Sequence, residues 1–124
     1  MVPDEFNAIT ETIIGCAFKV SSTLGVGFLE KVYENALAHE LRKAGLTVVQ
    51  QKAITVYYDG VVVGYYDADL LVAEKILVEL KVAKGIDDIH LAQCLNYLRA
   101  THMTLCLLLN FGTPRLGVKR VVSE

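Results

Sequence analysis

The sequence predicts an α/β (α+β) fold: a mixed sheet flanked by helices, in the order α-α-β-β-β-α-β, with room for one more edge strand. Three observations carry this. Residues 7 to 46 place apolar side chains at three- and four-residue spacing, as helices do. Residues 47 to 82 are β-branched and aromatic and contain Asp59-Gly60, the strongest short hairpin signal. A helical pattern then returns ahead of a continuous apolar run, MTLCLLLNF.

Residues 7 to 24 carry Ile9, Ile13, Cys16, Ala17, Val20 and Leu24 on one stripe, and STLGVGF breaks the helix with two glycines. Leu29, Val32, Tyr33, Ala36, Leu37 and Leu41 repeat the pattern in a second helix. KAGL ends it, with Gly45 in the left-handed position and Leu46 as apolar cover. TVVQQKAITVYY and VVVGYYDADLLV form the hairpin, and KILVELKV follows after a short turn. GIDDIHLAQCLNYLRAT reads as a helix with Asp87 and Asp88 in its first turn, where carboxylates complement the dipole. MTLCLLLNF is a buried strand, and VKRVV supplies the optional last one.

At 124 residues, the default is one domain over 1–124. An apolar fraction of 53% is enough for a core and leaves material for a partner surface. No apolar run reaches the ~18 residues of a membrane span. The start, MVPDEFNAIT, is acidic where a signal peptide is basic. The expectation is a soluble cytoplasmic protein. Three cysteines without CxxC spacing point to reduced, mostly buried thiols. A net charge of −2 argues mildly against tight nonspecific DNA binding, while leaving space for a local basic patch.

The chemistry concentrates in ILVELKVAKG. Glu79 and Lys81, at i and i+2 on a strand, share a face with Leu77, whereas Val78, Leu80 and Val82 face core. Taken alone, such a pair is an exposed salt pair. Asp69 on the preceding strand changes that. A three-residue turn, Ala73 to Lys75, sets Asp69 opposite Glu79 and Asp67 opposite Lys81. A two-residue turn would drive Asp69 into the core, so the odd register is expected. Two adjacent carboxylates repel, and a divalent cation with oxygen ligands resolves the repulsion. Gln93 and Tyr97, at i and i+4, share a helix face that can be aimed at them. Gly27, Glu30 and Tyr33 form a GxxExxY pattern, with Glu30 in a first helical turn.

Together, GVGFLEKVYENALAHEL, DADLLVAEKILVELK, AQCLNYL and LLLNFG make the chain similar to the GxxExxY family of small bacterial and archaeal proteins, assigned to the PD-(D/E)xK nuclease superfamily. The resemblance runs from about Ile9 to Val121 and implies a restriction-endonuclease-like fold. It makes Asp69 the motif aspartate and Glu79 and Lys81 the E-x-K. Glu30 matches an N-terminal-helix glutamate near the metal, and Gln93 and Tyr97 match the QxxxY signature of RecB-type exonucleases. One departure is Asp67, where the family often has a basic residue.

The activity so implied is phosphodiester hydrolysis of DNA or RNA. Asp69, Glu79, the Leu80 carbonyl and Glu30 would bind Mg²⁺ or Mn²⁺, with a water as nucleophile. Lys81 would orient that water or offset transition-state charge, because nearby carboxylates oppose the lowered pKa a base needs. Gln93 would position water or phosphate, braced by Tyr97. A different class remains open: a noncatalytic module that forms a homodimer, or another homo-oligomer, or braces a protein partner. His90 and Cys94, and His102 and Cys106, assemble no four-ligand zinc set, and GVG joins two helices and so is no dinucleotide loop.

Overall fold

A computed structural model describes residues 2–123. The helices are α1 (Asp4–Leu24), α2 (Glu30–Lys43) and α3 (Asp88–Thr101). The strands are β1 (Val48–Tyr58), β2 (Val61–Val72), β3 (Ile76–Lys81), β4 (Leu105–Asn110) and β5 (Gly117–Val122). The optional last strand is therefore formed. The sheet order is β1-β2-β3-β4-β5. Among the described strands only β3 and β4 run parallel, because α3 carries the chain back between them. Among the described residues no helix is long and apolar enough to cross a membrane.

The sheet has a core on each face. Ile13, Ala17 and Val20 of α1 and Leu37, Ala38 and Leu41 of α2 pack on Leu70, Val78, Leu80 and Leu107. On the other face Cys94 and Leu98 of α3 pack on Leu77, Cys106 and Leu108. Strands β3 and β4, buried on both faces, are near-continuously apolar for that reason. Val82, expected to face core, lies past the end of β3 and is 38% exposed.

Turn chemistry follows the expected pattern with one refinement. Asp59 and Gly60 form the two-residue turn between Tyr58 and Val61. Asp87 precedes α3 instead of lying in its first turn, and its carboxylate accepts from the Ile89 and His90 amides, both at 3.1 Å. The His90 ring accepts from the Asp87 amide in return, which closes a capping box and occupies that histidine structurally.

The chain just past β3 is clamped by Asn110 at the end of β4. This buried amide accepts from the Ala83 and Gly112 backbone amides and donates to the Ala83 carbonyl, all at 3.0 Å. Gly112 has no space for a side chain: a Cβ there would lie 2.3 Å from both the amide nitrogen and the carbonyl oxygen of Ala83. Gly112→Ala is therefore expected to destabilise the fold by about 3 kcal/mol or more, because backbone cannot yield as a side chain does. Urea unfolding measures it, and an unchanged midpoint would refute the close approach.

Candidate active site where the second and third strands part

The turn of Ala73, Glu74 and Lys75 sets the expected odd register: Val72 pairs with Ile76, Leu71 with Leu77 and Leu70 with Val78. Pairing stops there. The next backbone amides are taken by side chains. The Asp69 amide donates to Glu79 Oε2 at 2.6 Å, and the Leu80 amide donates to Asp69 Oδ2 at 2.7 Å. Each carboxylate thus crosses to the other strand. Asp69 and Glu79 face one another as expected, but the ladder does not run on to join Asp67 to Lys81. Asp67 is exposed and pairs with Ala53 of β1. The strands diverge before reaching it, which replaces the expected Asp67–Lys81 pairing.

The same level of the sheet is bent in β1. Gln51 has φ of 54°, a left-handed value that costs a non-glycine residue of order 1 kcal/mol. The alternation of side chains slips there. Val48 packs with the α1/α2 core but Ile54 with the α3 core, and across the ladder Leu70 and Ala68 do the same. This bend lies at the level where β2 and β3 stop pairing.

Glu79 is only 3% exposed. Burial, then the Asp69 charge, push its carboxyl up to about 8, against the pull of the Asp69 amide and Lys81. Burial also raises Asp69; the Leu80 amide opposes this and the Glu34 charge adds to it. Glu30 is exposed at the start of α2, yet partial desolvation and then the Asp69 charge raise it as well. Among the described residues Lys81 has no carboxylate at salt-bridge distance. Its charge acts on Asp69, Glu79 and Glu30 through space.

From α3, Gln93 Nε2 donates to the Tyr97 hydroxyl at 2.9 Å. Both residues line a cleft of about 830 Å³ together with Lys81, Tyr66 and Tyr57. The Tyr97 phenol is pushed up by burial and then by the Glu79 charge, which places it within electrostatic reach of the carboxylates.

The GxxExxY residues have separate tasks. Gly27 adopts φ of 110°, a conformation that side chains disfavour, in the loop joining the first two helices. Tyr33 is fully buried and stacks on Phe111 at 4.9 Å. Its hydroxyl donates to the Gly25 carbonyl at 2.6 Å and accepts from the Phe28 amide at 3.2 Å. Gly27 and Tyr33 thus fix the loop that presents Glu30 to Asp69. Tyr33→Phe is expected to cost about 1 kcal/mol, since the hydroxyl's two hydrogen bonds to the Gly25–Phe28 loop are lost while that exposed loop can turn to water. Denaturant titration reads this directly, and an unaltered midpoint would contradict it.

Two residues were not anticipated from sequence. Glu34 is 3% exposed, and its carboxylate accepts from Lys31, Gln50 and Gln51 at 2.7–3.1 Å. The Gln51 amide also pulls the Asp69 carboxyl down, against the effect of burial. Glu34 and Gln51 therefore connect α2, the bend in β1 and the motif aspartate. The available signal was weak: Glu34 lies four residues after Glu30, on the same helix face.

Oxygen donors dominate the gap between β2 and β3. The Lys81 carbonyl is taken on the β4 side by the Phe111 amide at 2.8 Å, so the alternate carbonyl, Leu80, points the other way, beyond the end of the β2 ladder. Two carboxylates and this carbonyl suit a hard divalent cation in chemistry. Among the described residues no three His, Cys, Asp or Glu side chains are already grouped as a ligand cage.

The comparisons agree with this architecture. No curated protein matches the sequence. Among solved structures, the chain is similar to the crystal structure of SSO0001, with TM-score 0.58 and 17% identity. It is also similar to an alkaline exonuclease (LHK-Exo) from Laribacter hongkongensis, with TM-score 0.56 and 14% identity. Each alignment covers 76% of this chain, which spans 50% and 56% of those two chains. These likenesses support a restriction-endonuclease-like fold. A family model described as PD-(D/E)XK nuclease superfamily matches residues 7–121, nearly the whole chain. With an acidic residue and an E-x-K placed where two strands part, the chain belongs to the PD-(D/E)XK nuclease superfamily.

Proposed function

We propose that the protein is a metal-dependent nuclease hydrolysing phosphodiester bonds of DNA or RNA, within the GxxExxY group of its superfamily. The observation that carries this is the pair of buried Glu79 and half-buried Asp69, bonded across a gap where ordinary strand pairing has ended. A scaffold gains nothing from two desolvated carboxylates so placed.

Asp69, Glu79 and the Leu80 carbonyl would hold Mg²⁺ or Mn²⁺, with Glu30 reaching in from α2. Such an ion supplies Lewis-acid stabilisation of phosphate charge and a more acidic water. Lys81 lines the open cleft next to the carboxylates and offsets negative charge on the phosphate. Gln93, held by the Tyr97 hydroxyl, keeps its carbonyl oxygen available to orient a water or its amide group to touch a phosphate. Glu34 and Gln51 are positioning residues for Asp69. Incubation of the purified protein with DNA and RNA panels and Mn²⁺ tests the reading, and absence of cleavage under every condition would reject it.

One observation favours a second reading, that of an interaction module. The outer hairpin exposes Tyr58, Val61, Val63 and Tyr65, each more than half accessible, and such apolar surface commonly marks an interface. Light scattering reports whether the chain is a homo-oligomer in the cytoplasmic setting expected for it.

A further inference from the structure

The cleft lies between the outer half of the hairpin and the exposed flank of α3; Lys81, Gln93 and Tyr97 line it, and the carboxylates Asp69 and Glu79 lie outside its lining. Two tyrosines on its hairpin wall are left open, Tyr66 at 53% and Tyr57 at 65% exposure. Tyr66 is not loose: its ring meets the Tyr97 ring at 5.7 Å and 49°. The opposite wall carries Arg99, whose side chain bonds the neutral Asn96 amide at 3.4 Å and has no acidic partner at salt-bridge distance among the described residues. Lys81, also without such a partner, stands at the carboxylate end. The cleft therefore has aromatic faces on one side and unspent cationic charge on the other and at its end.

That combination matches one chemistry. Aromatic faces stack bases of any identity, and cations follow the phosphates of the same strand. The volume of about 830 Å³ lies within the roughly 300–1,000 Å³ of small-ligand pockets and matches one or two nucleotides. A single strand suits it because its bases are free to stack on the tyrosines, whereas those of a duplex already stack on each other.

We propose that this cleft is a base-stacking track for a single nucleic-acid strand, with Tyr66 and Tyr57 as the platform and Arg99 as a phosphate contact leading to Lys81. The assignment rests on the nuclease reading of the adjoining site and adds the substrate form to it. A duplex would have to open before its scissile phosphate reached the carboxylates.

Binding can be separated from cleavage. Fluorescence anisotropy in EDTA at low salt measures the full chain against labelled oligothymidylate and oligouridylate of about 12 nucleotides, a duplex of the same length, and an abasic strand. Either single strand should bind more tightly than the duplex. Tyr66→Ala and Tyr57→Ala should each weaken binding about tenfold, the lower range for a lost stack. Tyr66→Phe keeps the ring and should bind as wild type, which guards against a folding defect in the alanine variant. Tyr65→Ala, at a 76% exposed hairpin position outside the cleft, should also bind as wild type. The abasic strand should bind as weakly as oligothymidylate binds to Tyr66→Ala. Equal binding of abasic and normal strands, tighter binding of duplex, or no loss on either tyrosine truncation would overturn the track. Because no metal is present, these results stand apart from the cleavage assay. Stacking without hydrolysis would reject only the nuclease reading, and hydrolysis without stacking only the track.

Discussion

Lys81→Ala is expected to lower nucleic-acid cleavage by about 10²–10³-fold while leaving the melting temperature nearly unchanged. The magnitude is that of removing one preorganised group that meets charge developing in a transition state. The structure gives the reason for the small stability effect. The Lys81 side chain is half-buried at the end of β3, with no acidic partner at salt-bridge distance among the described residues, so truncation breaks no direct ion pair there. Its loss does remove one of the effects that lower Glu79 and Asp69. Cleavage of labelled DNA and RNA in Mg²⁺ and Mn²⁺ by the two proteins decides the point. Equal rates would take Lys81 out of the chemistry.

The second large effect is a reversal of stability by metal. Asp69 and Glu79 are desolvated and repel one another, so without metal they strain the fold they belong to. With its carboxyl pushed up to about 8, Glu79 makes the fold hold a proton near neutral pH that the unfolded chain releases; Glu79→Gln keeps an acceptor for the Asp69 amide and removes that cost. It is expected to stabilise the metal-free protein by about 1–2 kcal/mol. Asp69→Asn likewise keeps an acceptor for the Leu80 amide. Wild type should then gain about 2.7 kcal/mol at a hundredfold excess of Mn²⁺ over its Kd, roughly 10 °C in Tm for a chain of this size. Both variants should lose that gain. Calorimetric melts with and without Mn²⁺ check both halves. A wild type indifferent to Mn²⁺ would remove the cation from the site, whatever the variants do.

The residues that carry these predictions differ in how readily sequence exposes them. Asp69, Glu79 and Lys81 were legible because strand parity and turn length are nearly digital. A three-residue turn places Asp69 against Glu79, and a two-residue turn would bury it unpaired. Gln93 and Tyr97 were legible because i and i+4 must share a helix face. Asp67 misled for the same reason that the others succeeded. Extending the register assumes that the ladder continues, and here two carboxylates end it by taking the backbone amides for themselves.

Glu34, Gln51 and Asn110 show the opposite limit. A glutamate in the second turn of an amphipathic helix ordinarily faces solvent, and nothing local says that two glutamines from a strand will enclose it. Gln51 gives no sign of its left-handed backbone, since such strain is held in place by surroundings far away in the chain. Asn110 stood in a quoted motif, but its clamp on Ala83 joins positions separated by a helix and a strand.

By itself, then, the sequence determined the element order, the odd register between β2 and β3 and the identity of the charged residues on one strand face. These depend on periodicity, turn residues and the cost of burying charge, all of which act over a few residues. Only the tertiary structure decided that β2 and β3 part at Asp69, that Gln50 and Gln51 enclose Glu34, and that Tyr57, Tyr66, Arg99 and Lys81 line one cleft. Those features depend on how far the bent hairpin stands from α3, a distance set by packing on both faces of the sheet and written in no single segment.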